Sequence, residues 1–353
     1  MLAVGTLGGQ IHLVDAETGK VRWEVQGHAA TRFISVAMPP DGRFVASVSA
    51  AEESWKLWDA ASGVVWMAGA RHDGTGACRC RVTSSGRKLC YGCPVRAHKS
   101  GLNAVAISPC GRRFATGGDD HAVILWDAQT GNGDHIMDGH SRGVCSVSFS
   151  AGGEKVASGS YDGSFCVWEA ATGVLLRTIQ PDHQHHGVCC VHFSPQDKTR
   201  LATVGSPVGA VLQWDVDSGE KIRSTGGCSL VAFSPDGRTI ATLRNPDSRD
   251  VRMTDAETGI LRSRIVCSQA TVYSVCFSVD GSKLATGGGD GSCKVWDSST
   301  GALLRFFHFG NADYSVSWGR DWLQDTQRAT AFAHIFGGHP SKPGCSGNNM
   351  DRS

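Results

Sequence analysis

The sequence lacks the features that announce most chemistries. It has no run of 18 apolar residues, so no membrane-spanning helix is expected. Neither charge is in surplus, with 34 basic against 33 acidic residues, which argues against a dedicated binder of nucleic acid or of an anionic membrane. There is no glycine-rich phosphate loop opening a helix, no H-E-x-x-H pair and no G-x-S-x-G elbow. The apolar start Met1-Leu2-Ala3-Val4-Gly5 has no basic leader and breaks at Gly8-Gly9, so it reads as a strand rather than a secretion signal.

Glycine and cysteine are plentiful, at 45 and 14 residues. That much glycine suits a turn-dense all-β chain. Most cysteines fall inside predicted strands where sister segments carry Val, Ser or Ala. Free cysteine there behaves as a small buried hydrophobe, which points to a reducing compartment, the cytoplasm or the nucleus. A disulfide framework belongs to short secreted chains.

The organising stretch is Gly139 to Thr178. It holds four short alternating runs, Val144–Phe149, Lys155–Gly159, Ser164–Trp168 and Val174–Thr178, separated by glycine-rich or polar turns. Runs of this length and period are antiparallel strands, and one such sheet becomes stable only by stacking on copies of itself. Copies recur at Ala104–Asp127, Val188–Asp215, Leu230–Asp255 and Val272–Asp297, with a period near 42 residues.

This pattern resembles the tryptophan–aspartate (WD) repeat family, whose motif runs from a Gly-His pair to a Trp-Asp pair. The resemblance covers nearly the whole chain. It implies a β-propeller of four-stranded antiparallel blades that acts as a non-catalytic scaffold for protein or peptide partners. The first unit lacks its innermost strand, and Asp313–Gly319 matches an innermost strand with nothing after it. Tyr314–Trp318 is therefore expected to close the ring against the first unit. One interval breaks the period, since Asp59 to Asp127 spans 68 residues. Between them Ala77–His98 matches only two strands, so the expectation is seven good blades plus one truncated, with eight inner hairpins. A seven-bladed ring with that segment looped out is the rival. The propeller is expected over residues 1–322, followed by a tail over 323–353 with a short helix at Gln324–Ile335 and a disordered end.

Each regular unit carries a polar set, His140, Ser158, Asp162 and Trp168 in one and His98, Thr116, Asp120 and Trp126 in another. In the family these resemble a buried structural tetrad. An Asp–His–Ser grouping invites comparison with a hydrolase triad, but repetition in separate units is what architecture produces. Elsewhere the set decays, with Glu52 for the acid, Val208 for another, Thr254 for a tryptophan and Cys267-Ser268 for a Gly-His pair.

Cys78, Cys80, Cys90 and Cys93 place four thiols within 16 residues. By internal alignment Cys80 falls on Val147, Cys90 on Ala157 and Cys93 on Ser160, so buried packing is expected rather than a metal site. His183, His185, His186 and His192 are read as solvated loop histidines, the first three in the loop of a lengthened unit, and no cofactor or metal is expected. The resemblance places partners on the narrow face, where candidates are Arg32, Trp55, Asn103, Asp119, Arg142, Tyr161, Tyr273 and Tyr314. The partners expected are other proteins or peptides, with no nucleic acid and no membrane, bound by a monomeric propeller within a larger complex. The alternative is a propeller enzyme or metal-binding protein using the central channel or the Cys and His clusters.

Overall fold

The computed structural model describes residues 1–318 except 7, 29–33, 40, 71–76, 83–87, 96–97, 182–186, 206–208, 229, 244–248, 268–271, 279 and 310–313. The expected tail, with its helix, lies outside the described residues. Described elements are all strands, and they fall into seven antiparallel sheets.

The first blade has β1 (Leu2–Thr6), β2 (Gln10–Val14) and β3 (Val21–Gln26). The second has β4 (Ile34–Ala37), β5 (Phe44–Ser49), β6 (Ser54–Asp59) and β7 (Val65–Ala70), continued by β8 (Ala77–Val82) and β9 (Lys88–Val95). The third has β10 (Leu102–Ile107), β11 (Arg113–Gly118), β12 (Val123–Asp127) and β13 (Gly133–Met137). The fourth has β14 (Val144–Phe149), β15 (Lys155–Ser160), β16 (Phe165–Glu169) and β17 (Leu175–Ile179). The fifth has β18 (Val188–Phe193), β19 (Arg200–Gly205), β20 (Gly209–Asp215) and β21 (Lys221–Cys228). The sixth has β22 (Leu230–Phe233), β23 (Thr239–Leu243), β24 (Asp250–Asp255) and β25 (Leu261–Val266). The seventh has β26 (Val272–Phe277), β27 (Lys283–Gly288), β28 (Ser292–Asp297) and β29 (Leu303–His308). The last strand, β30 (Tyr314–Trp318), pairs antiparallel with β1 and completes the first blade. Together these make a seven-bladed β-propeller.

The cores lie between blades, as expected of sheets that are apolar on both faces. Trp55 and Leu57 of the second blade pack with Leu102, Phe114 and Trp126 of the third. Val123 and Leu125 of the third pack with Val147, Val156 and Trp168 of the fourth. Innermost strands are also stitched directly: the N–H groups of Val191 and Phe193 donate to Ser146 Oγ and Ser148 Oγ at 3.1 and 3.2 Å. The Asp of each Trp-Asp pair has a local task. Asp127 Oδ1 accepts from the N–H groups of Gln129 and Thr130 at 3.0 and 2.6 Å, and Gly131 then takes a left-handed φ of 69°. That is an Asx turn ended by a glycine, and it reverses the chain into the outermost strand.

The expected eighth, truncated blade is corrected. Residues 77–95 do not form an inner hairpin; β8 pairs with β7, the outermost strand of the second blade, and β9 pairs with β8, giving a six-stranded sheet. The innermost strand β4 lies directly against β10, so nothing is wedged between the second and third blades at the centre. Two strands without a third and fourth cannot fill a wedge of the ring. They can satisfy one open edge by extending a neighbour's ladder, which is what they do.

His12 on β2 is an exception to the polar pairing of the core. It is 2 % exposed, and both ring nitrogens have no hydrogen-bond partner within the described residues. Glu24 Oε2 is 3.6 Å from Nδ1, beyond a good hydrogen bond. Burial pushes its pKa down, only partly offset by Glu24.

Two expectations follow for stability. Deleting residues from 314 onward exposes β1 as a sheet edge; calorimetry should show loss of the cooperative transition and size-exclusion chromatography should show higher-order species. His12→Leu removes an unsatisfied buried polar ring and should stabilise by about 1 kcal/mol at pH 7. Because the folded pKa is depressed, native His12 binds fewer protons than the unfolded chain, so the gain in urea midpoint should grow as pH falls below 6.5.

Candidate functional site

The polar sets assemble in three blades. In the third, His98 Nδ1 is 2.7 Å from Asp120 Oδ1 and Nε2 is 2.8 Å from Thr116 Oγ1, while Trp126 Nε1 donates to that same hydroxyl at 2.7 Å. In the fourth, His140 contacts Asp162 at 3.1 Å and Ser158 at 2.8 Å, and Trp168 Nε1 donates to Ser158 Oγ at 2.8 Å. In the second, Glu52 stands in for the aspartate: His28 contacts Glu52 at 2.7 Å and Ser47 at 2.8 Å, and Trp58 Nε1 donates to Ser47 Oγ at 2.8 Å. Ser47, Thr116 and Ser158 are fully buried. Each hydroxyl joins an indole to an imidazole and has no path to a substrate, so the geometry is that of a structural hub rather than a nucleophile.

The same geometry yields different charge. For His28 burial disfavours the imidazolium, and Lys56, whose Nζ is 3.4 Å from Glu52, adds to this; the net shift is downward despite the Glu52 hydrogen bond. For His140 burial also opposes the charge, but the Asp162 hydrogen bond and Cys166 outweigh it and lift the pKa to about 9. Burial would raise Asp162, yet His140 and Ser164 together hold it far below the usual carboxylate range.

Other blades keep half the set or none. Trp214 Nε1 donates to Thr203 and Trp296 Nε1 to Thr286, each at 2.9 Å. In the seventh blade Cys267-Ser268 replaces the Gly-His pair in the sequence, and Lys294 reaches the Cys267 carbonyl at 2.9 Å and Asp290 at 3.5 Å. Lys56 makes the matching contact with the Gly27 carbonyl at 2.5 Å in the second blade. Sequence reasoning missed these lysines, although they share one position on the third strand. In the sixth blade Thr254 replaces the tryptophan and its hydroxyl donates to the Ile240 carbonyl at 3.2 Å.

Above the sets lies the turn between second and third strands. Asp119 N donates to Gly101 O at 2.8 Å, and Tyr161 N to Gly143 O at 3.0 Å. A Cβ on Gly143 would come within 2.9 Å of Asp119 Oδ1, and one on Gly187 within 2.8 Å of Tyr161 Cα. Each turn therefore roofs the opening of the next blade, and glycine there is a matter of space. Exposed Arg142 reaches the Tyr161 carbonyl at 3.4 Å, and half-buried Tyr161 rests on the core beside it. Asp119, Arg142 and Tyr161 thus share one stretch of rim.

The remaining candidates separate. Asn103 is buried on β10 and its amide donates to Asp119, so it positions that carboxylate rather than meeting a partner. Trp55 is not a surface anchor: at 3 % exposure, its ring lies 5.1 Å from both Phe114 and Trp126, and its cross-strand partner Gly69 makes room for it. Tyr273 is half-buried on β26, away from the others. Arg32 lies outside the described residues, as does the side chain of Tyr314, whose backbone pairs with Thr6. His183, His185 and His186 also fall outside them, whereas His192 is buried on β18 and donates to the Phe193 carbonyl at 2.9 Å.

One signal in the turn went unread. The residue after the tetrad acid has positive φ in four blades: Gly163 at 88° and Gly291 at 77°, but Glu53 at 48° and His121 at 70°. These are the two non-glycine residues with positive φ among those described. The left-handed region costs an L-residue roughly 1 kcal/mol.

The opposed histidines predict a two-sided pH profile. Burial pushes His192 to about 4, so its contribution is whole above 6.5 and drains away as pH falls toward 4. His140 is raised, so its contribution is whole below 6.5 and is lost as pH rises through about 9. Denaturation midpoints across pH 4 to 10 should lose on the order of 1–3 kcal/mol at each end, with His192→Leu flattening the acid limb and His140→Gln the alkaline one.

The family description "WD domain, G-beta repeat" matches residues 19–59, 90–127, 133–169 and 261–297. Among curated relatives, "Autophagy-related protein 16" of Arabidopsis thaliana is 22% identical over 65% of this chain and 45% of its own length. "Guanine nucleotide-binding protein subunit beta-5b" of Danio rerio is 30% identical over 36% of this chain and 34% of its own. "Small ribosomal subunit protein RACK1y" of Oryza sativa subsp. japonica is 30% identical over 30% of this chain and 32% of its own. The chain spans less than half the length of these relatives. With four repeats matched in sequence and the remaining blades built to the same plan, the chain belongs to the WD-repeat β-propellers.

Proposed function

We propose that this chain is a non-catalytic interaction scaffold that takes protein or peptide partners on the narrow face of the ring, over the second to fifth blades. The observation that carries this reading is the placement of backbone strain. Where the fourth and seventh blades use glycine, the second and third use Glu53 and His121 at a cost, in turns beside Asp119, Arg142 and Tyr161. Stability given up for a side chain on a rim turn is a mark of selection for contact. Arg and Tyr held on rigid turns are good interface anchors, and balanced charge favours a protein over nucleic acid or membrane. The names of two relatives are those of a subunit and of a ribosomal-subunit protein, which supports a single ring working within a larger assembly. Buried cysteines outside any disulfide, such as Cys166, Cys189 and Cys293, support a reducing compartment, cytoplasm or nucleus.

The test is cross-linking mass spectrometry on captured full-length chain, comparing wild type with His121→Gly, Arg142→Glu and Tyr161→Ala. His121→Gly should raise stability by about 1 kcal/mol while reducing capture of the partners. Arg142→Glu and Tyr161→Ala should lower capture at least about tenfold with the melting curve unchanged. Partners retained by all three variants, or cross-linked to outer strands such as β17, would remove the reading.

A further inference from the structure

Five of the seven seams between blades are tied by one side chain of the outermost strand. Register fixes its place, opposite the residue that precedes the Trp-Asp pair or its equivalent: Trp23, His135, Arg177, Arg223 and Arg305. Each donates, at 2.5–3.0 Å, to a backbone carbonyl in the third-to-fourth-strand turn of the following blade, those of Ala60, Ala171, Asp217, Thr258 and Glu17 in turn. In the sixth blade the place is held by the short Ser263. In the second it is held by Met67. That side chain does reach the next turn, where a Cβ on Gly131 would collide with its Sδ, but a thioether has no proton to give.

The same seam lacks a second tie. The residue before the first apolar position of the second strand also crosses to the following blade: Arg113 donates to the Ala170 carbonyl at 2.5 Å, and Lys155 and Lys283 pair with Asp217 and Glu17. Its counterpart in the second blade, Arg43, turns back to Asp41 in its own loop at 3.0 Å and is 81 % exposed. The Ala128 carbonyl, which corresponds to that of Ala170, has no donor among the described residues. With both ties gone, a cleft of about 800 Å³ lies between the second and third blades. Half-buried Trp66, its ring 6.3 Å from that of Phe44, gives it an aromatic wall. Asp59 and Asp127 also line it; Oδ1 of each serves its own turn, which leaves Oδ2 for another donor. Asp41 already neutralises Arg43, so these two acids stand against the single base Arg112.

We propose that this cleft takes an arginine side chain presented by an extended segment of a partner protein. The ring itself displays the chemistry, since the guanidinium groups of Arg113, Arg177, Arg223 and Arg305 bond to turn carbonyls where seams are closed. A guanidinium lies flat on an indole while its N–H fork meets a carbonyl and a carboxylate, a combination that an ammonium does not reproduce. Asp41 keeps the internal competitor away. Released from it, Arg43 is placed to close the seam itself, as Arg113 does in the next one. The site is independent of the rim of Asp119, Arg142 and Tyr161. In an antiparallel blade the first-to-second and third-to-fourth turns lie at the opposite end of the sheet from the second-to-third turn.

The probe is the peptide acetyl-Ala-Arg-Ala amide, titrated into full-length chain carrying fluorotryptophan. The fluorine resonance of Trp66, assigned by Trp66→Phe, should shift saturably. The same peptide with citrulline in place of arginine should bind at least about tenfold more weakly, a comparison that needs no variant to fold. Alkylation of Cys110, exposed on the cleft wall, should slow as the arginine peptide saturates. Asp59→Asn combined with Asp127→Asn retains side-chain acceptors for the two turns and should weaken binding at least about fivefold, while Glu257→Ala on a sixth-blade turn leaves it unchanged. Asp41→Asn frees Arg43 and should weaken binding, and adding Arg43→Ala should restore it, a reversal that loss of folding cannot produce. A Trp66 resonance that ignores the peptide overturns the proposal. So does an equal response to citrulline, or an Asp41→Asn/Arg43→Ala chain that binds no better than Asp41→Asn.

Discussion

A four-stranded sheet with apolar residues on both faces can bury them only between two neighbours, and a row of such sheets always leaves two faces bare. Closure is the single arrangement with no ends. Here it rests on one short ladder, Leu2 opposite Trp318 through Thr6 opposite Tyr314, which makes the first blade from both extremities of the described chain. The interblade layers depend on it in turn. Phe307 of the seventh blade packs with Leu2, Val4 and Val14 of the first, and Ala3 and Leu13 of the first pack with Val36 and Trp58 of the second.

Within each wedge the polar economy is local. A buried hydroxyl accepts from an indole and meets an imidazole, and the imidazole ties the opening of the blade to the acid in its upper turn. Where the histidine is missing, as in the seventh blade, Lys294 takes over the tie between the blade opening and Asp290. The requirement is therefore a donor that spans carbonyl and carboxylate, and imidazole is one of two solutions in this ring. Burial opposes the charge on both His28 and His140; Lys56 beside Glu52 adds to it in the second blade, while Cys166 joins Asp162 against it in the fourth, so two sites nearly alike in geometry move in opposite directions.

Much of the ring was legible because repetition multiplies a weak signal. Period-two runs and Gly/Asp turns placed the strands of the fourth blade to within a residue, and the orphan strand at Tyr314–Trp318 announced the closure. The tetrads were legible for the same reason. Two things were not. Whether two strands make their own wedge or extend a neighbour's edge is a question of what pairs with β7, and no local pattern in 77–98 encodes it. Trp55 was misread as a rim anchor because a tryptophan near a turn looks exposed until its cross-strand partner is known to be Gly69. The strain at Glu53 and His121 was present in the alignment as non-glycine residues at a glycine position, a signal that needs φ to become meaningful.

The sixth blade stands apart, with neither indole nor imidazole at its centre; Thr254 bonds back to Ile240, and the remaining side-chain ties, such as Arg264 to Asp250, lie on its outer strands. What holds it is apolar contact among Leu230, Val231, Phe233, Ile240, Val251 and Met253. Contact of that kind weakens on cooling and yields under pressure, whereas a satisfied hydrogen-bond hub has no such dependence built in. The ring is consequently asymmetric in its response to physical conditions: chilled or compressed, it should loosen first around Leu230–Val266, at a place unrelated to where heat or acid would begin.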